Sequence, residues 1–169
     1  MNYWFMKKIR KSLNWVDKSP YPLHITLVKV RCPIAKKKDV QRYINKIVKH
    51  DVQTVINNEP HLTFTIYSVA TDFGRGNNTV AARCRVNPYT YFVNTLKDFK
   101  IKWESAYRNY PKVEWRVETN FHITLGSYKK EQVDDPRVYL PIVREAFEKK
   151  LKDRTYGHND LLPVSLANL

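Results

Sequence analysis

The sequence predicts an α+β domain in which helices pack on a mainly antiparallel sheet. Three observations carry that class. Apolar residues recur at helical spacing in three segments, strand-like stretches rich in β-branched residues lie between them, and a turn-rich linker joins two of the strands at hairpin distance. At 169 residues the chain is long enough for one domain with a real core, so a single domain over 1–169 is expected.

The elements follow in order. Tyr21 to Val30 (YPLHITLVKV) follows Pro20, contains Pro22 and reads as a buried strand entered from a turn. From Asp39 to His50, Val40, Tyr43, Ile44, Ile47 and Val48 fall on one helical face, with Asp39 as N-cap or first-turn residue. His61 to Val69 and Thr79 to Val86 predict two antiparallel strands joined by the loop TDFGRGNN. Phe92, Leu96, Phe99 and Trp103, at steps of three or four, mark a helix from Tyr89 to Tyr107. WRVETNFHITLGSY reads as one further strand. A helix follows from about Asp135 to Lys152, with Pro136 in its first turn and Val138, Ile142, Val143, Phe147 and Leu151 along one face. LLPVSLANL supplies a last strand.

Composition narrows the partner class. Thirty Lys and Arg against sixteen Asp and Glu give a formal net charge of +14, which favours polyanions such as RNA or nucleotides without specifying a reaction. Cys32 and Cys84 are too few for a disulfide scaffold, and a reducing compartment fits. No apolar run approaches the ~20 residues that span a bilayer, and the start MNYWFMKK lacks the order of a signal peptide. The expectation is a soluble, cytoplasmic monomer with no membrane partner.

The tetrapeptide His-Ile-Thr-Leu occurs twice, at His24–Leu27 and His122–Leu125, 98 positions apart, each time after an apolar residue (Leu23, Phe121). In a strand, residues i and i+2 share a face, so His24 projects with Thr26 and His122 with Thr124, while Ile25 and Ile123 face the other layer. Side by side, two such strands line a surface with two imidazoles and two hydroxyls. That set suffices for metal-free cleavage of a phosphodiester: one imidazole accepts a proton from the attacking oxygen, the other donates one to the leaving oxygen, and the hydroxyls bond the non-bridging oxygens. A lone His-x-Thr arises often by chance; two identical copies in matching contexts do not.

The pair of motifs resembles the two-histidine phosphoesterase superfamily, marked by two strand-borne His-x-Thr/Ser motifs in two pseudosymmetric lobes. The likeness in element order runs from about Tyr21 to the C-terminus. It implies mainly antiparallel sheet flanked by helices, a catalytic cleft between the lobes and no metal or other cofactor. The superfamily includes ligase T-like RNA cyclic phosphodiesterases, viral 2′-5′ phosphodiesterases and viral enzymes that cleave cyclic dinucleotide messengers. Its pattern implies that His24 serves the ribose-hydroxyl side and His122 the 5′-oxygen or water side. It also makes Phe73 and Arg75, in the hairpin segment TDFGRGNNTVAARCRV, candidates to approach the substrate base and phosphate. Tyr21 and Tyr128 flank the motifs and are candidates to stack on or bond a nucleotide. In one departure, the superfamily usually places a strand and a helix before the first motif, whereas 23 residues precede His24 here.

The expected function is cleavage of 2′-5′ linked oligo- or cyclic nucleotides, such as 2′-5′ oligoadenylate or 2′,3′-cGAMP, as a viral immune antagonist acting in the host cytoplasm. The brevity of the chain and its Lys-, Asn- and Tyr-rich, glycine-poor composition point that way. Two alternatives stand beside it: opening of terminal 2′,3′-cyclic phosphates in RNA end processing, and a non-catalytic RNA-binding module. Three further motifs carry no chemistry: His61-Leu62-Thr63 lacks the repeated frame, Asp72-Phe73-Gly74 is expected to be a turn, and Gly74-Arg75-Gly76 lacks the spacing and lysine of a phosphate loop.

Overall fold

A computed structural model describes residues 24–127, 140–150 and 152–157. The fold is α+β, with a two-stranded and a four-stranded antiparallel sheet. Contacts divide the chain into two compact units. The first holds Phe64–Arg85 and Asn120–Tyr156 together with the segment up to Ile25, and the second holds Thr26–Thr63 and Val86–Thr119.

In the second unit, β1 (Val28–Arg31) pairs with β4 (Glu114–Val117), Val28 opposite Val117 and Val30 opposite Trp115. Alternation is clean: Trp115 and Val117 are buried, while Lys29, Arg31, Glu114 and Arg116 face water. Helical structure runs from Ile34 to Asn57 and is therefore longer than the span predicted from Asp39 to His50. After one 3-10 turn come α1 (Lys37–Tyr43), a single wide turn over Ile44–Val48 and α2 (Lys49–Asn57). Asp39 sits in the first turn of α1 and is not its cap. In the wide turn the Lys49 amide donates to the Ile44 carbonyl, five residues back rather than four, a local register change that apolar spacing does not reveal.

Helix α3 (Tyr89–Ala106) buries Phe92, Val93, Leu96 and Trp103. Asp51 of α2 ties the two helices together: its carboxylate accepts from Trp103 Nε1 at 2.8 Å and from Lys102 Nζ at 3.0 Å. A buried carboxylate needs such partners to offset the loss of hydration. Trp103, Trp115, Tyr43 and Tyr107 form a contiguous aromatic cluster between helices and sheet, with ring centroids 5.3–6.0 Å apart.

The first unit is a four-stranded sheet in the order β5-β3-β2-β6: β2 (Thr63–Phe73), β3 (Thr79–Asn87), β5 (His122–Ser127) and β6 (Thr155–Tyr156). Strand β2 begins two residues later than predicted and runs on to Phe73, so Asp72 and Phe73 are strand rather than turn. The reversal is confined to the residues from Gly74, whose φ of +84° suits a residue without a Cβ; the Asn77 amide closes the turn on the Gly74 carbonyl at 3.1 Å. One inward face carries Phe64, Ile66, Val80, Ala82, Cys84, Ile123 and Leu125, all buried. Phe121 adds an edge-to-face contact to Phe64, and α4 (Leu140–Lys150) contributes the buried Phe147.

The stretch WRVETNFHITLGSY is not one strand. It breaks between Val117 and His122, and its halves join different sheets. At the break the Glu118 amide continues the β1 ladder by donating to Leu27 O at 2.8 Å, and its buried carboxylate accepts from Lys29 Nζ at 2.8 Å and from the Thr119 amide at 3.1 Å. Those bonds anchor the end of β4 and close the ladder there. Strand β6, two residues long, is too short to leave a periodic signal in the sequence. The start of the helix expected at Asp135–Pro136 and the strand expected at LLPVSLANL lie outside the described residues. Among those residues no helix is long and apolar enough to cross a membrane.

Candidate active site

An antiparallel bridge pairs Ile25 with Ile123 and thereby adds the first motif to the outer edge of β5. Residues paired across such a bridge share a face, so Ile25 joins Ile123, which is fully buried, on the inward side. Counting outward from the bridge, His24 falls opposite Thr124, on the other side of the sheet, where His122 also projects. His24, His122 and Thr124 are all half-buried. Thr26, next in the chain and also half-buried, opens the second unit.

The neighbours on that face come from β3 and β2. Register puts Arg83 opposite His122 and Ala81 opposite Thr124. Phe73, at the end of β2, lays its ring 4.4 Å from the His122 imidazole, inclined by 52°. The Arg83 guanidinium stands 5.7 Å from the centroid of the same Phe73 ring. Two residues further along β3, Arg85 lies 4.5 Å over the ring of Tyr67. Arg83 Nε is buried and has no hydrogen-bond partner. Ser68 Oγ, Trp115 Nε1 and Tyr156 Oη share that status among the described residues.

His122 is oriented by its own chain. Its Nδ1 lies 2.8 Å from the Asn120 carbonyl, which can only accept, so Nδ1 carries the proton. Nε2 is then the nitrogen that takes up or releases a proton. Neutral, it is a base; protonated, it is an acid.

Of the residues predicted from sequence, His24, His122, Thr124 and Phe73 therefore meet on one sheet face. Arg75 lies exposed in the hairpin turn, away from the strand positions that carry the face. Tyr21 and Tyr128 are outside the described residues. Sequence reasoning missed Arg83, Arg85 and Tyr67. The signal was there in Ala82-Arg83-Cys84-Arg85-Val86, where the arginines alternate with apolar residues and must share the face opposite the core. His61 of the third His-x-Thr match is exposed before β2, its amide donating to Glu59 Oε1 at 3.1 Å. Among the described residues no group of three or more His, Cys, Asp or Glu side chains is placed to hold a metal ion.

Comparison with protein-family models, with curated proteins and with solved structures gives no match to this chain.

Proposed function

We propose that the protein is a phosphodiesterase of the two-histidine type that cleaves 2′-5′ linked oligo- or cyclic nucleotides without a metal ion, and that it acts as a viral antagonist of such messengers. The observation that carries the reading is the Ile25–Ile123 bridge, which brings two identical His-Ile-Thr-Leu segments together with their imidazoles on one face. The fixed tautomer of His122 and the guanidinium beside it support it further. The α+β fold is compatible with that superfamily, but both motif histidines fall in one compact unit rather than one in each of two lobes.

In the proposed reaction the free 3′ hydroxyl beside a 2′-5′ phosphate attacks phosphorus. His24 takes the hydroxyl proton as the new P–O3′ bond forms. His122 gives the proton on Nε2 to the departing 5′ oxygen as the P–O5′ bond breaks. The products are a 2′,3′-cyclic phosphate and a free 5′ hydroxyl, and atoms and protons balance. Thr124 supplies a hydroxyl donor to the non-bridging oxygens. General acid and base each contribute about 10²–10⁴-fold when well placed.

The test incubates the protein in EDTA with 2′-5′ oligoadenylate, its 3′-5′ counterpart, 2′,3′-cGAMP and an RNA ending in a 2′,3′-cyclic phosphate, with products resolved by mass. Cleavage confined to 2′-5′ linkages is expected. Opening of the terminal cyclic phosphate alone would replace the reading with RNA end processing. Salt-sensitive RNA binding with no turnover would replace it with a binding module.

A further inference from the structure

Arg83 and Arg85 sit two residues apart on β3, on the face that carries His122 and Thr124, and among the described residues neither forms an ion pair with a carboxylate. Strand geometry sets their Cα atoms about 6.7 Å apart, close to one nucleotide step of an extended strand. Each guanidinium also lies against an aromatic ring: Arg83 near Phe73, and Arg85 over Tyr67 at 4.5 Å. Cation and ring side by side are the two elements with which proteins hold a single strand, the cation taking the phosphate and the π-face taking the base.

We infer that Arg85 and Tyr67 form a second nucleotide subsite, one step along the strand from the scissile phosphate held at Arg83, so that among linear substrates the protein favours those carrying at least two phosphodiester groups. This rests on the proposed phosphodiesterase reading for the position of the scissile phosphate. Arg83 is the inner group: half-buried and opposite His122. Arg85 is the outer one: exposed, positioned on its ring, and two residues removed from the residue that faces His122. A substrate with one phosphate engages only the inner group.

The experiment compares a 2′-5′ adenylate trimer core, with two internal phosphates, with the corresponding dimer, with one. Wild type is expected to show kcat/KM about tenfold higher for the trimer. R85Q should lose that preference while cleaving the dimer as wild type does, and the salt dependence of trimer binding should flatten by about 0.7 in log–log slope, the value for one single-strand contact. Lys149→Gln removes another exposed cation of the same unit, on α4, and should preserve the trimer preference. An equal loss on both substrates in R85Q, or no loss on either, would overturn the subsite. Fluorescence anisotropy with labelled trimer and dimer reads the subsite without chemistry. Tighter trimer binding that R85Q abolishes, with no cleavage of either, upholds the subsite and removes the phosphodiesterase reading; binding that never discriminates the two removes the subsite whatever the activity.

Discussion

The Asn120 carbonyl accepts a hydrogen bond from Nδ1 of His122 at 2.8 Å, from two residues back along the same chain. Because the acceptor is backbone, it survives any substitution at position 120 that keeps the local geometry. The imidazole is thus held with Nδ1 protonated, and proton exchange is confined to Nε2.

Replacing either motif histidine should separate activity from folding. His122→Ala and His24→Ala are each expected to lower kcat/KM by about 10²–10⁴-fold, the worth of one proton-transfer group. Neither side chain is fully buried, so thermal unfolding should move little. Near wild-type rates in either variant would exclude the two-imidazole mechanism.

Phe73 packs against His122 at 4.4 Å and is expected to govern its position rather than its chemistry. Phe73→Ala should reduce kcat roughly tenfold through misplacement of the ring, with the reaction products unchanged. Phe73→Tyr keeps the ring and should restore most of the rate. A Phe73→Ala enzyme as fast as wild type would mean the contact is incidental.

Asp51 is a structural carboxylate. Asp51→Leu leaves the Trp103 indole N–H and its surroundings without their acceptor and is expected to cost about 1–3 kcal/mol in urea denaturation. Asp51→Asn keeps an amide oxygen able to accept from Trp103 and should cost less. Equal losses in the two variants would indicate that the negative charge, paired with Lys102, is what matters.

Burial pushes the Cys84 thiol up to about 12. The folded state therefore favours the protonated thiol, and the resulting stability is complete below the unfolded value of about 8.5 and is lost progressively as pH rises toward the folded one. At pH 8 a thiol reagent should modify the half-buried Cys32 in the native protein and reach Cys84 only on unfolding. A Cys32→Ser variant should accordingly stay unlabelled until denatured.

Much of the site was legible because it is written in period two. The repeated His-Ile-Thr-Leu fixes which residues share a face, and that face is the one the sheet presents. The helices were legible through Val40, Phe92, Leu96 and Trp103, all of which are buried. What escaped depends on pairing between distant segments. Nothing local to Arg83 says that its strand lies beside His122, 39 positions later. Nothing local to Glu118 says that its buried carboxylate, bonded to Lys29, ends one strand and separates it from the next. The wide turn at Ile44–Val48 escaped because one extra residue in a helix alters hydrogen bonding without erasing the apolar stripe.

The register slip between β3 and β5 has a consequence for how the chain tolerates change. Val80 faces Gly126 and Ala81 faces Thr124, so Leu125 has no counterpart on β3. Alternation therefore reverses phase at that point: Gly126 shares a side with the buried Val80, although it lies two residues from Thr124. The unmatched residue acts as punctuation. A residue inserted or deleted beyond Gly126 shifts the later part of the chain and leaves the frame of His122 and Thr124 intact. The same change between Arg83 and Ala81, across from the motif, would exchange the sides of Arg83 and Cys84 and take the guanidinium away from His122.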